Sequence, residues 1–418
     1  MMPTMEHLDV IIVGGGMAGM TLALALKSGG LDVALIERQP FAEQLDTGFD
    51  GRASAIAYAC FRQWKVLGVG DALEASACRM DEIMVTDGHL PGPASRKPLP
   101  FFLNFKAEEI SDRTGDEPLG YMVENRLVRQ TLYDAIRERH INLIVPASVT
   151  DMTETGGFAE VTLNTGQRLR ASLIVSAEGR NSALRDKAGI KHINWDYDQS
   201  AVVATVKMER PHNHVAYEHF LPSGPFAILP LTENRACIVW SESHARAKAL
   251  MDVRDSLFHD HLMTRFGDFL GKVELVGPKF IYPLGLGLAE DMYKGRLALL
   301  GDAAHGIHPI AGQGLNLGLK DVAALAEVLV EAARLGEDLG SGLVLERYAK
   351  WRRFDNVSTS VVMDGFVRLF SNGNPVLRTV RDVGMGLFNR IPALRQFVME
   401  DAGAATGDLP KLLRGQEI

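Results

Sequence analysis

The first forty residues leave few folds open to this chain. Leu8-Asp9-Val10-Ile11-Ile12-Val13 reads as a buried strand, and Gly14-Gly15-Gly16-Met17-Ala18-Gly19 follows it directly. An apolar run from Met20 to Leu26 then has the pattern of a helix. Asp32-Val33-Ala34-Leu35-Ile36 predicts the next strand, which delivers Glu37 and Arg38 at its end. This is GxGxxG between a strand and a helix, the opening of a βαβ unit that binds a dinucleotide. The first glycine permits the tight turn, the second lets a pyrophosphate approach the backbone, and the third lets helix pack on strand. Glu37 stands 18 residues beyond Gly19, where a carboxylate suits a ribose hydroxyl.

Two other interpretations of this segment fail. Leu8 to Leu26 approaches the ~20 apolar residues that a membrane span needs. Glycines bunched in its middle and the acid at Glu37 fit βαβ better. MMPTMEHLD carries no Lys or Arg ahead of the apolar run, so a secretory signal is not expected.

A second glycine loop lies far down the chain. Leu297-Ala298-Leu299-Leu300 reads as a strand, followed by GDAAHGIHPIAGQGLNLGLKD from Gly301 to Asp321, with a helical pattern from Leu315. Dense glycine costs stability unless the backbone must turn tightly or approach another group. A loop that feeds a helix N-terminus offers free N–H groups and the positive end of the helix dipole. Such a loop suits an anion, or a carbonyl that becomes anionic during a reaction. A third site, Ala177-Glu178-Gly179-Arg180-Asn181-Ser182, follows the strand Leu173 to Ser176, with Ser182 expected to cap a short helix.

The remaining sequence sets broader bounds. At 418 residues, with 46% apolar and 23% charged, the chain is an ordinary globular protein large enough for two or three domains. A net charge of −8 argues against nucleic-acid binding. Cys60, Cys78 and Cys237 form no CxxC, and no metal-ligand spacing occurs, so no metal is expected and a reducing cytoplasm is the expected compartment.

The predicted fold class is α/β: a Rossmann-like dinucleotide-binding domain with an inserted antiparallel-sheet domain and a helical C-terminus. The first domain is expected in three pieces, 1–80, 121–190 and 291–340. The inserted domain is expected from 81–120 and 191–290, and helices from 341–418. A helical stretch is predicted from Ala55 to Leu67 and another from Asn125 to about Arg139. Arg168 to Arg170 is expected to be a meander strand, with Ala171 to Ser176 returning to the dinucleotide sheet. Ala201–Val206, Val215–Leu221, Phe226–Pro230 and Ala236–Trp240 read as short antiparallel strands, continuing at Lys279 to Tyr282.

These three loops, at Gly14-x-Gly16-x-x-Gly19, Glu178-Gly179-Arg180 and Gly301-Asp302, resemble the motifs of class A flavoprotein monooxygenases with the p-hydroxybenzoate hydroxylase-type fold. The resemblance covers nearly the whole chain. His308-Pro309-Ile310-Ala311-Gly312-Gln313-Gly314 to Asp321 is similar to the signature of the ubiquinone-biosynthesis hydroxylases, as is Pro211 to Glu218 with Pro222-Ser223-Gly224-Pro225 behind it. Glu178 departs from the family, which usually carries Asp there.

The resemblance implies FAD as resident cofactor, NAD(P)H as a transient electron donor and O2 as co-substrate. It places Gly14, Gly16, Met17, Ala18, Gly19, Glu37, Arg38, Arg52, Asn125, Glu178, Gly179, Gly301, Asp302, Gly312, Gly314, Leu315 and Asn316 at FAD. His308 and Pro309 would line the reacting face. The implied reaction is hydroxylation of a polyprenylated phenol or quinol precursor by a flavin C4a-hydroperoxide, within a ubiquinone-biosynthesis complex. Val357 to Val398 mixes apolar residues with Arg368, Arg378, Arg381, Arg390 and Arg395, which suits either a peripheral membrane surface or packing on the first domain or a partner subunit. Two alternatives remain: a hydroxylase for a soluble phenol, and a non-catalytic FAD-binding scaffold subunit. A flavin-dependent halogenase is disfavoured, because the four tryptophans form no WxWxxP-like motif.

Overall fold

The computed structural model describes residues 7–45, 52–87, 102–221, 223–306, 313–353, 391, 395–396, 398–400 and 403–418. Five parallel strands form the spine of the first sheet, in the order Leu297–Leu299, Arg168–Ser176, His7–Val13, Val33–Ile36, Asn142–Ile144. Val10, Ile11, Ile12 and all of Val33–Ile36 are buried, as near-continuous apolar runs must be when both sheet faces are covered. Helix Met17–Ser28, buried from Gly19 to Leu26, packs between this sheet and the long helix Gln313–Arg334. The approach is close at its C-terminal end, where a Cβ on Gly29 would lie 2.2 Å from a methyl of Val330.

A second sheet orders His305–Gly306, Val273–Ala289, His192–Met208, Arg235–Ser243, Gly224–Leu231, Val215–Leu221, Glu82–Asp87 and Phe102–Lys106. Its pairings are antiparallel except for the parallel pair of Val215–Leu221 with Glu82–Asp87. Strand alternation gives it two different faces. Val202, Ala204, Val206, Phe226 and Trp240 pack under helices His244–Asp252 and Asp255–Phe266, against Phe258 and Phe266. The other face, with Ala201, Val203, Ala227 and Val239, lines a cavity shared with the first sheet's glycine loops. A small sheet of Ala53–Ala57, Gly120–Glu124 and Cys78–Met80 completes the described sheets. Among the described residues, no helix is long and apolar enough to cross a membrane.

The structure corrects two local expectations. Ala55 to Ala57 is strand, and the helix starts only at Tyr58 and runs to Val66. Pairing of Ala53–Ala57 with Gly120–Glu124 overrides the helical preference of Ala55 and Ala57. Arg168 to Ser176 is one continuous strand, whose first half pairs antiparallel with Phe158–Leu163 while its second half joins the parallel sheet. The helix predicted from Asn125 is present as Asn125–Glu138, and that predicted from Leu315 begins at Gln313.

Candidate active site

The three glycine loops meet at one cavity of about 770 Å³, within the range that holds small ligands and cofactors. Gly14, Gly16, Met17, Ala18, Gly19, Glu37, Arg38, Arg52, Asn125, Glu178, Gly179, Gly301, Asp302, Gly314 and Leu315 all line it. Residues separated by up to three hundred positions thus converge on one space.

The N-terminal glycines serve distinct ends. Gly14 has φ of +114°, and a Cβ there would sit 2.3 Å from the carbonyl oxygen of Ala177. A Cβ on Gly19 would lie 2.0 Å from the carbonyl oxygen of Gly14, so this residue lets the helix close on the turn. Gly16 is different, because a Cβ there meets nothing within 4 Å. The same holds for Gly179 and Gly314. Protein packing does not demand glycine at Gly16 or Gly314; space in the cavity is what a side chain would take. An extended ligand with a pyrophosphate fits such a cradle, because backbone N–H groups at a helix start can face it.

Glu37 secures this turn. Its carboxylate accepts from the Gly15 N–H at 2.7 Å and from the Gln39 N–H at 2.8 Å. Each oxygen keeps a lone pair for a ligand hydroxyl. Glu178 turns one oxygen into its own loop, accepting from the Leu184 N–H at 3.0 Å, the Ser182 hydroxyl at 2.8 Å and the Ser176 hydroxyl at 3.1 Å. Ser182 caps the following helix, as its sequence position predicts, accepting from the Arg185 N–H at 3.1 Å. Asn125 starts its helix beside Arg52, donating its N–H to the Arg52 carbonyl at 2.9 Å and accepting from the Ser54 hydroxyl at 2.7 Å. The Arg52 guanidinium stands 5.7 Å from the centre of the Phe280 ring.

The Gly301-Asp302 loop rests on a buried ionic group that sequence reasoning did not single out. Asp321, fully buried on helix Gln313–Arg334, accepts from the Gly301 N–H at 3.1 Å, from His305 Nε2 at 2.5 Å and from Arg352 Nε at 2.8 Å. Burial alone would raise its carboxyl, but His305 and Arg352 outweigh that and hold it below the usual range. Asp302 opens into the cavity beside them. Loss of water raises its carboxyl above the ordinary value, against the opposing pull of His305 and Arg180. The only sequence signal for Asp321 was its place at the end of the glycine-rich run.

Asn316 does not share the cavity set. Its side chain donates to the Ala55 carbonyl and accepts from the Ala57 N–H, both at 2.9 Å, and so ties the long helix to the small sheet. Gly312, His308 and Pro309 lie outside the described residues, as does most of the segment Val357 to Val398.

Comparison with known proteins agrees with this geometry. The model of the FAD binding domain family matches residues 7–354. Ubiquinone hydroxylase UbiL of Rhodospirillum rubrum is 42% identical over 97% of this chain and 92% of its own length. The 3-demethoxyubiquinol 3-hydroxylase of Escherichia coli is 36% identical over 96% of this chain and 99% of its own. Among solved structures, p-nitrophenol 4-monooxygenase PnpA of Pseudomonas putida superposes with a TM-score of 0.78 at 19% identity, over 97% of this chain and 100% of that one. At that identity the last likeness concerns the fold alone. Fold and cavity define an FAD-binding α/β enzyme scaffold. The chain belongs to the FAD binding domain family of flavoprotein monooxygenases, and FAD is its cofactor.

Proposed function

We propose that the protein is an FAD-dependent aromatic-ring hydroxylase acting on a polyprenylated phenol in ubiquinone biosynthesis, with NAD(P)H as electron donor and O2 as co-substrate. One observation carries this: a single cavity joins the glycine loops to a wall of small apolar side chains on the second sheet. A cofactor and an apolar ring can therefore meet there without intervening protein. The names of the full-length relatives at 42% and 36% identity favour a ubiquinone precursor over a soluble phenol.

On this reading Gly14, Gly16 and Gly19 cradle the FAD pyrophosphate and Glu37 accepts from the adenosine ribose. Asp302 takes the ribityl or phosphate side, and Gly314 and Leu315 lie along the ring system at a helix N-terminus. That terminus presents N–H groups and a positive dipole end to any negative charge developing on the ring. Bound FAD supplies the redox chemistry, accepting electrons from the nicotinamide donor and passing oxygen to the substrate. The protein contributes position and dryness. Segments 81–120 and 191–290 form the substrate side, and 1–80, 121–190 and 291–340 the cofactor side. Contact of Val357–Val398 with a membrane surface, and membership of a biosynthetic complex, extend this proposal on the sequence pattern alone.

The test is NAD(P)H oxidation by the FAD-loaded protein with prenylated phenols, unprenylated phenols or neither. Strong stimulation only by the prenylated set, with a ring-hydroxylated product, is expected. Equal stimulation by soluble phenols favours a hydroxylase for soluble substrates. No stimulation by any phenol, with FAD bound, favours the scaffold alternative.

A further inference from the structure

The apolar wall of the cavity carries one carboxyl. Reading across the second sheet by its register, Leu103, Val85, Glu218, Ala227, Val239, Val203 and Phe280 form one row. Every member but Glu218 is apolar, and Glu218, Ala227, Val239 and Val203 line the cavity. The neighbours of Glu218 along its own strand, on the same face, are Ala216 and Phe220, both buried and apolar. Strands are about 4.8 Å apart, so Glu218 stands roughly 14 Å along the wall from Val203.

Among the described residues Glu218 has no hydrogen-bond or ion-pair partner. The residue is half-buried, opening on the cavity, and a carboxyl set among apolar side chains ordinarily has a partner, because an unpaired polar group in such surroundings costs stability. Its strand neighbours spend their side chains elsewhere: His219 Nδ1 bonds the Thr86 hydroxyl at 2.7 Å on the opposite face, beneath the helical layer. A structural carboxyl would be satisfied by the fold; this one faces ligand space unsatisfied.

We propose that Glu218 binds the ring hydroxyl of the phenol substrate and takes its proton during hydroxylation. The assignment rests on the function proposed above and names the group that reads its substrate. The step is a proton transfer only. The phenol O–H bond breaks, an O–H bond forms on the carboxylate, the ring becomes a phenolate and Glu218 a neutral acid. No electrons pass, and the reverse transfer restores both groups when the product ring is reprotonated at that oxygen. A phenolate is the more electron-rich ring, which is what an electrophilic oxygen atom requires.

The environment of Glu218 suits the task. Loss of water pushes its carboxyl up to about 8. An ordinary glutamate, near 4.5, lies between five and six units below a phenol near 10, whereas a group near 8 lies about two below and is a far better matched base. The groups packed around it, Val85, Ala216, Phe220 and Ala227, do not titrate. None of the cavity's other charged side chains, Glu37, Arg38, Arg52, Arg129, Glu178, Arg180 and Asp302, contributes to its shift, which desolvation sets.

The test uses the FAD-loaded enzyme and its Glu218→Gln and Glu218→Leu variants. Binding of a prenylated phenol and of its O-methyl ether is followed by perturbation of the flavin absorbance, and hydroxylation by single turnover across pH 6–10. The wild type is expected to prefer the phenol over the ether by about tenfold or more, as a hydrogen bond to an ionisable group allows. The preference should vanish in Glu218→Leu. In Glu218→Gln the phenol should still bind, with hydroxylation slower by ~100-fold or more and no rise with pH through about 8. The assignment is overturned if both variants keep FAD, the phenol preference and the wild-type pH profile within twofold. A wild type that hydroxylates no phenol would instead overturn the proposed function, and this assignment with it.

Discussion

Alanine at Gly16 and at Gly19 separates what the glycine turn does for the fold from what it does for the cofactor. At Gly19 the added Cβ would stand 2.0 Å from a backbone oxygen and 3.2 Å from a backbone carbon of Gly14. No rotamer relieves a clash with main chain, so helix and turn must part. Overpacking of this kind costs ~1–3 kcal/mol, and Gly19→Ala belongs at or above the top of that range because both partners are fixed. At Gly16 the backbone angles are φ −71° and ψ 177°, which any residue adopts, and the Cβ meets nothing within 4 Å. Gly16 is also the N-cap of its helix, where alanine is a poorer choice, so a cost of about 1 kcal/mol or less is expected in the unliganded protein. If the pyrophosphate occupies that space, the methyl intrudes on it, and the same ~1–3 kcal/mol is lost from binding instead. That weakens the FAD dissociation constant by roughly 5- to 150-fold. Denaturant unfolding of the apoprotein and FAD titration by flavin fluorescence measure the two quantities separately. The expected pattern is Gly19→Ala unstable, and Gly16→Ala stable but weak in FAD. A Gly16→Ala protein that binds FAD within twofold of wild type would refute the cradle argument.

Three further outcomes follow from the structure. Asp321→Asn should cost ~3–5 kcal/mol in denaturant unfolding, because it neutralises the buried carboxylate that His305 and Arg352 both bond, and a cost below about 1 kcal/mol would contradict the network's role. Glu37→Ala removes the acceptor of the Gly15 and Gln39 N–H groups and should lower both stability, by ~1–3 kcal/mol, and FAD affinity; loss of neither would remove Glu37 from the site. The third concerns pH. Glu218 binds its proton more tightly folded, near 8, than at the ordinary 4.5, so its contribution is greatest below about 4.5 and is lost as pH rises towards about 8. Glu218→Gln lacks this dependence, so its melting temperature relative to wild type should climb between pH 5 and pH 8. A constant difference across that window would mean the carboxyl is not desolvated.

The local elements with strong patterns were legible in the sequence because their physics is local. Val10 to Val13 and Val33 to Ile36 could only be buried strands, and the acid after them falls where the turn needs its anchor. Ser182 announced its cap three residues ahead of the N–H it accepts from. What the sequence concealed depends on pairing between distant segments. Ala55 and Ala57 favour helix until Gly120–Glu124 claims them as a strand. Asn316 lies in a run that suggests a ligand contact, yet its amide goes to Ala55 and Ala57, two hundred and more residues away. Asp321 looks like an ordinary helix acid until the fold sets His305 and Arg352 on either side of it. Glu218 looks like a polar residue in an alternating strand, and only the register across the sheet shows it alone on an apolar wall.

The most direct test of the proposed chemistry is the fate of the oxygen atoms. The FAD-loaded protein would be given NAD(P)H, a prenylated phenol and ¹⁸O2, and the product ring analysed by mass spectrometry. A ring hydroxyl carrying one ¹⁸O atom, formed only with FAD, donor and phenol all present, is the predicted result. A hydroxylated ring without label, or reduced donor consumed with hydrogen peroxide as the sole product from every prenylated phenol, would contradict it.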